Sequence, residues 1–337
     1  MLSKELKFLL DAGMPLFNAL TLIGKQKASV KQKKAIELVR EDVSSGLSLS
    51  AALKRQGSVF PEIFVSIVAA GEGTGLLSES LSRAESYFEA SDTLKKKVVS
   101  SVAYPCFVLT LSFVSILFMA LYLVPMMNGI FSSMGIKLPL LTRAVARGGS
   151  FIANFWYLIA LFSFALVYFA NKFVKARFGD DFFDRIILRF PVVGTIAKKM
   201  SYARIAGTLS ALLCSGVALV PSLSVSAASA GNRIFKAAVL AMIKTVEGGE
   251  SLSKAFAKSG IFPESFSEMV NIGESSGRLD AALRDLAGYY EREVESSVKV
   301  ATSLIEPLST VLVGVAVFVI VFSMFLPMVA MMDALAK

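Results

Sequence analysis

The sequence predicts an all-α membrane protein, built from two homologous helical-bundle domains of about six helices each and three transmembrane helices. Three observations lead there. The polar stretches are rich in Ala, Leu, Ser, Lys and Glu, and no extended Val/Ile/Thr alternation runs between turn signals. Three windows hold no charged residue, Val98 to Ile136, Gly148 to Asn171 and Pro307 to Met332, and each exceeds the about 20 apolar residues that a helix needs to cross a bilayer. The third is a long internal repeat. Gly13-x-x-Leu16, Gly46-x-Ser48-Leu49, Gly57, Phe60-Pro61-Glu62, Gly71-Glu72-x-x-Gly75-x-Leu77 and Tyr87 return as Gly216-x-x-Leu219, Gly249-x-Ser251-Leu252, Gly260, Phe262-Pro263-Glu264, Gly273-Glu274-x-x-Gly277-x-Leu279 and Tyr289. The offset is 216 − 13 = 203 early and 273 − 71 = 202 late, one residue being dropped before the Phe-Pro pair. The register continues into the apolar part, where Pro105 matches Pro307 and Pro125 matches Pro327. A repeat this long is a duplicated domain with its anchor, since solenoid units are only about 20–50 residues.

Local signals place the helices in order. Pro15 opens one helix, at a position whose N–H has no intrahelical partner. Ile36, Val39 and Val43 mark one face of the next, and Gly46 stops it. Ser48 caps a helix over Ala51 to Gln56, which Gly57 ends. Pro61 begins another, with Ile63, Phe64, Ile67 and Val68 as its buried face. Gly71 to Gly75 reads as a turn, and Leu76 to Lys97 as a long helix that runs on into the membrane. The second domain repeats this order from Leu209 to Lys299. Each bundle is large enough for its own core.

Charge sets the topology. Two spans separate the repeats, so both polar domains lie on one face of the membrane. Lys95, Lys96 and Lys97 precede the first span, and Lys172, Lys175, Arg177, Arg185 and Arg189 follow the second, against only Lys137, Arg143 and Arg147 in the loop between. Positive residues beside a membrane mark the cytoplasmic side. The expected organisation is therefore a cytoplasmic domain over residues 1–97, a span over 98–125, a periplasmic loop over 126–147, a span over 148–171, a second cytoplasmic domain over 172–299, a span over 304–330 and a short periplasmic tail over 331–337. Tyr122, Trp156 and Tyr157 sit where interfacial aromatics belong. Lys4, Glu5, Lys7 and Asp11 break any apolar run at the N-terminus, so no signal peptide is expected and the spans serve for insertion. The net charge of +9 suits a chain lying against anionic lipid. Nucleic acid is not expected as a partner, because Glu37, Glu41 and Asp42 interrupt the basic runs.

The residue inventory argues against an enzyme. There is no His, which removes the commonest general base and metal ligand. Cys106 and Cys214 lie apart and suggest neither a metal cluster nor a disulfide framework. No metal or other cofactor is expected. Gly71-Glu72-Gly73-Thr74-Gly75 superficially resembles a nucleotide loop, but its counterpart Gly273-Glu274-Ser275-Ser276-Gly277 lacks the middle glycine and no strand precedes either copy. The reading taken is a helix-to-helix turn, in which the first glycine, Gly71 or Gly273, adopts positive φ and the second, Gly75 or Gly277, permits close packing. Glu72 and Glu274 then either anchor a helix N-terminus or an Arg, or face a partner. At the membrane entry stand Tyr104-Pro105 and Glu306-Pro307; the prolines predict kinks. Glu306 either faces water or pairs with a Lys, or is one of the functional ionisable groups that enter bilayers rarely.

The run Lys97-Val98-Val99-Ser100-Ser101-Val102-Ala103-Tyr104-Pro105, continuing to Leu123-Val124-Pro125, resembles the signature of the type II secretion system F protein family, the PilC-like platform proteins of type IV pili. The paired Gly-Glu-x-x-Gly-x-Leu motifs and Glu306-Pro307 resemble that family too, and the likeness covers essentially the whole chain. The resemblance implies a non-enzymatic, homo-oligomeric platform in the bacterial inner membrane. Its cytoplasmic domains would engage a hexameric assembly ATPase, and its membrane part would receive pilin or pseudopilin subunits beside other inner-membrane assembly proteins. Many members carry a further segment before the first domain, whereas here that domain starts almost at Met1, so contacts of that segment are not carried over. The alternatives are a membrane transporter built from repeated halves, or a scaffold subunit. Three spans without internal charge argue against a self-sufficient transport pathway.

Overall fold

The computed structural model describes residues 2–25, 29–118, 122, 126 and 181–335. The expected loop 126–147, the expected span 148–171, residues 172–180 and Pro125 lie outside the described residues, save for Met126. All regular structure among the described residues is helical. In the N-terminal part the elements are α1 (Leu2–Asp11), α2 (Leu16–Lys25), α3 (Val30–Ser44), α4 (Leu49–Arg55), a 3-10 turn (Gly57–Val59), α5 (Glu62–Thr74) and α6 (Leu77–Phe118). In the C-terminal part they are α7 (Asp181–Arg189), α8 (Val193–Cys214), α9 (Leu219–Ser229), α10 (Arg233–Glu247), α11 (Leu252–Ser259), α12 (Glu264–Ser275), α13 (Leu279–Ser303) and α14 (Ile305–Leu335).

The chain divides into two compact units. One joins Met1–Lys97 with Phe183–Ser297; the other comprises Val98–Phe182 and Val298–Lys337. Within the first unit the hydrophobic interior forms two clusters. One is made from α8 to α13 alone, around an aromatic group of Tyr202, Phe235, Phe256, Phe262, Phe266 and Tyr290. Phe256 meets Phe262 edge-on with centroids 4.7 Å apart, an arrangement that adds about 0.5–1.5 kcal/mol to the gain from burial. The other cluster takes Leu6 and Leu9 from α1, Leu20 and Ile23 from α2, Ile36 and Val39 from α3, and Ile63, Phe64, Ile67 and Val68 from α5. It also takes in Leu212 of α8 and Val225 of α9, so the C-terminal part completes the interior of the N-terminal part. A hydroxyl chain crosses the same seam: Tyr87 Oη lies 3.0 Å from Thr208 Oγ1, which lies 2.8 Å from Ser229 Oγ. Lys97 Nζ reaches Glu295 at 3.0 Å.

The helix limits follow their local chemistry. Ser29 Oγ accepts from Gln32 N at the start of α3, and Asn232 Oδ1 from Ile234 N at the start of α10. Asp184 of α7 adds a second acceptor there, 2.8 Å from Arg233 N. The two prolines at corresponding positions behave differently. α6 continues through Pro105. The later helix instead breaks at Leu304, which puts Pro307 in the first turn of α14, where a missing N–H forfeits no helical bond.

Two helical stretches, Leu77–Ser115 and Leu279–Val315, are long and apolar enough to cross a membrane. Only 6% and 11% of their apolar windows are buried inside the protein. A core helix of a water-soluble protein would bury that window, so the outward apolar surface matches a lipid environment.

Candidate functional site

The two Gly-Glu-x-x-Gly-x-Leu motifs meet the two Gly-x-Ser-Leu motifs in space, and each meeting ties down a short helix. The first backbone N–H groups of any helix lack intrahelical acceptors. At α4, Glu72 Oε1 accepts from Leu49 N at 2.5 Å and Oε2 from Ser50 N at 2.9 Å, while Ser48 Oγ accepts from Ala51 N at 3.2 Å. At α11, Glu274 accepts from Leu252 N at 2.6 Å and Ser253 N at 2.9 Å, and Ser251 Oγ from Lys254 N at 3.4 Å. Three of the four orphan donors are satisfied in each case, two of them by a carboxylate on the favourable end of the helix dipole. Both glutamates are half-buried. Of the roles open in the sequence, the geometry supplies the anchoring of a helix N-terminus.

The glycines exchange the roles expected of them. Gly71 and Gly273 do not hold positive φ; both lie within helices, in α5 and α12. A Cβ on Gly71 would stand 2.6 Å from Ser80 Cβ and one on Gly273 2.6 Å from Ala282 Cβ, closer than atoms approach, so these glycines permit α5 to cross α6 and α12 to cross α13. Positive φ falls to Gly75 (72°) and Gly277 (68°), which end α5 and α12. The reason is where the helix stops: α5 runs on to Thr74, so the left-handed residue comes four positions later than the sequence suggested. Gly71 to Gly75 is consequently the last turn of a helix. Its amides serve the helix and form no phosphate cradle.

At the membrane entry, Tyr104, Pro105 and Glu306 line one cleft of about 240 Å³ together with Lys299, Thr302 and Ser303. Pro105 is buried and Pro307 exposed. Pro327 lies within α14.

Other polar groups were not singled out by their local sequence. Burial pushes the Tyr87 phenol up, against the hydrogen bond with Thr208. Burial raises Glu291 as well, opposed by Lys97 and Arg292. The hydrogen bond from Ser78 holds Asp11 below the usual carboxylate value. Tyr87 and Tyr289 recur in the repeat, and that recurrence was the available signal. Among the described residues no three His, Cys, Asp or Glu side chains gather as a metal site.

Comparison with known proteins places these features in a family. The profile described as type II secretion system (T2SS), protein F matches residues 2–125 and 205–327. The starts of the two matched segments are 205 − 2 = 203 residues apart and their ends 327 − 125 = 202. The chain is 33% identical to the type IV pilus assembly protein TapC of Aeromonas hydrophila, over 98% of this chain and 80% of that protein. It is 31% identical to the type IV pilus assembly protein PilC of Pseudomonas aeruginosa, over 96% of this chain and 87% of that protein. It is also 31% identical to the type II secretion system protein F of Pseudomonas aeruginosa, over 98% of this chain and 82% of that protein.

Proposed function

The chain belongs to the type II secretion system protein F family, and from that premise we propose that it is an integral inner-membrane platform protein of a type IV pilus or type II secretion assembly machine. In this reading it couples a cytoplasmic assembly ATPase to the insertion of pilin or pseudopilin subunits into the fibre. The observation that carries the proposal is similarity over nearly the full length to relatives named for pilus assembly and for type II secretion. The two anchored helices, α4 and α11, support a duplicated domain, since one device is built twice at the repeat spacing. The proposed organisation has both copies in the cytoplasm, three spans, and the C-terminus in the periplasm. The exposed apolar helices support membrane insertion. The protein acts in this scheme as a binding scaffold without its own catalysis, and ATP chemistry belongs to the motor. Glu72 and Glu274 shape the surface offered to that motor by holding α4 and α11 in place.

The test is retention of the cognate assembly ATPase by the full-length chain in detergent, alongside nucleotide binding by the chain alone. The expected result is retention of the ATPase without ATP binding. A chain that binds and hydrolyses ATP, or that never retains the ATPase while correctly inserted, refutes the proposal.

A further inference from the structure

The internal repeat gives the chain two copies of each surface, and among the described residues only one copy of each is covered. Within the chain, α8 and α9 pack on α5, with Leu212 and Val225 entering the cluster that holds Ile67, and Thr208 meets Tyr87 of α6. That contact is heterologous: the α8–α9 face of one repeat meets the α5–α6 face of the other. The repeat register then locates the two faces left over. Subtracting 203 takes Thr208, Ala211 and Val225 to Glu5, Phe8 and Leu22 on α1 and α2; adding 202 takes Ile67, Ala70 and Tyr87 to Met269, Ile272 and Tyr289 on α12 and α13. The structure keeps this register, for α1 and α8 end with the same bonds, Met14 N to Leu9 O and Val217 N to Leu212 O.

Burial at matched positions shows what is missing. Val225 is 7% exposed and its counterpart Leu22 is 42% exposed. Ile67 is fully buried, whereas Met269 is 36% exposed and neighbouring Ile272 60%. Phe8, where the covered face carries a partly buried Ala211, is 73% exposed. Leu9, which matches Leu212, is already buried within its own repeat, but Phe8 and Leu22 on one leftover face and Met269 and Ile272 on the other present apolar side chains to the outside at positions matched to the internal contact. Their polar pair is complementary too. The Tyr87–Thr208 hydrogen bond would become Tyr289 O–H donating to the Glu5 carboxylate, a charge-assisted bond. One surface needs an α5–α6-type face and the other needs an α1–α2-type face, and a second copy of this chain supplies both.

We propose that copies of this chain associate head to tail, the α1–α2 face of one copy seating on the α12–α13 face of the next as α8–α9 seats on α5–α6 within the chain. This specifies a contact for the homo-oligomer that the family resemblance implies, and rests on the platform reading for its setting. Such a contact propagates until the rotation per copy closes a ring.

The test uses the full-length protein in detergent and in lipid nanodiscs, read by native mass spectrometry. Phe8→Glu spoils one face and Ile272→Glu the other, and Leu22→Glu and Met269→Glu serve as a second pair. Each variant alone is expected to lose the oligomer, with helical circular dichroism unchanged. Mixing Phe8→Glu with Ile272→Glu should restore a one-to-one dimer and nothing larger, since each partner keeps the face that the other lost. A photo-crosslinking phenylalanine in place of Tyr289 should form intermolecular adducts within residues 2–11. A wild-type chain that is monomeric in both settings, variants that keep the wild-type oligomer, a mixture that restores no dimer, or adducts elsewhere overturn the proposal. These readings need no ATPase, so failure here leaves the motor-coupling reading standing, and failure to retain the ATPase leaves this contact standing.

Discussion

Replacing Glu274 with Ala should loosen α11 and little else. The carboxylate accepts from Leu252 N at 2.6 Å and Ser253 N at 2.9 Å. Their next best acceptor is water, which the half-buried site admits in part. Two charge-assisted hydrogen bonds plus a favourable helix-end charge, discounted for that water, amount to about 2–3 kcal/mol. At 1.4 kcal/mol per tenfold change, the opening equilibrium of α11 rises by roughly a hundredfold. Hydrogen exchange of the full-length protein reads this directly, as faster exchange in peptides spanning residues 249–260 with the aromatic interior unchanged. Glu274→Gln keeps one acceptor and turns an amide N–H toward the second donor, so it should fall between, near tenfold. Glu268→Ala, an exposed residue of the same helix, is the control and should change nothing. Exchange in residues 249–260 that stays within a factor of about two of wild type after Glu274→Ala would refute the anchoring argument. Loss of fibre assembly on that unchanged background would move the residue to a partner contact.

Three further outcomes are expected. Gly273→Ala should cost about 1–3 kcal/mol, because the new Cβ meets Ala282 Cβ at 2.6 Å; Gly73→Ala, in a helix with nothing within 4 Å, should instead stabilise by about 0.5–1 kcal/mol, both read by urea denaturation. Burial pushes the Tyr202 phenol up to about 12, so the folded state disfavours its ionisation; its contribution is complete below the ordinary tyrosine value near 10 and is lost as pH rises through about 12. Tyr202→Phe should give up the 2.8 Å bond to Ile261 O, costing about 1 kcal/mol at neutral pH, yet flatten the alkaline loss of stability. A reporter fused after Gly46 or after Gly260 should report cytoplasm and one at Lys337 periplasm; finding the two repeats on opposite faces would end the proposed topology.

What the sequence determined by itself is what depends on neighbours within one helical turn. The Ser48 cap forms as expected and its repeat counterpart Ser251 does the same, and the apolar face Ile63, Phe64, Ile67 and Val68 is buried. The run of α6 past Lys97 was likewise legible, because capping, periodicity and length act over a few residues of chain. The family was legible by resemblance, carried by the run from Lys97 to Pro105, the paired Gly-Glu-x-x-Gly-x-Leu motifs and Glu306-Pro307. The tertiary structure decided what depends on approach between distant segments. Glu72 finds its acceptor role 22 and 23 residues back along the chain, a separation that carries no periodic signal. Gly71 and Gly75 are alike as letters, and only the crossing of α5 and α6 assigns contact to the first and positive φ to the second. The seating of α8 and α9 on α5 was equally hidden, since Leu212 and Val225 read locally as core of their own bundle. Hydrophobic burial is non-directional, so an apolar residue announces that it will be covered, and the packing of whole helices determines by what.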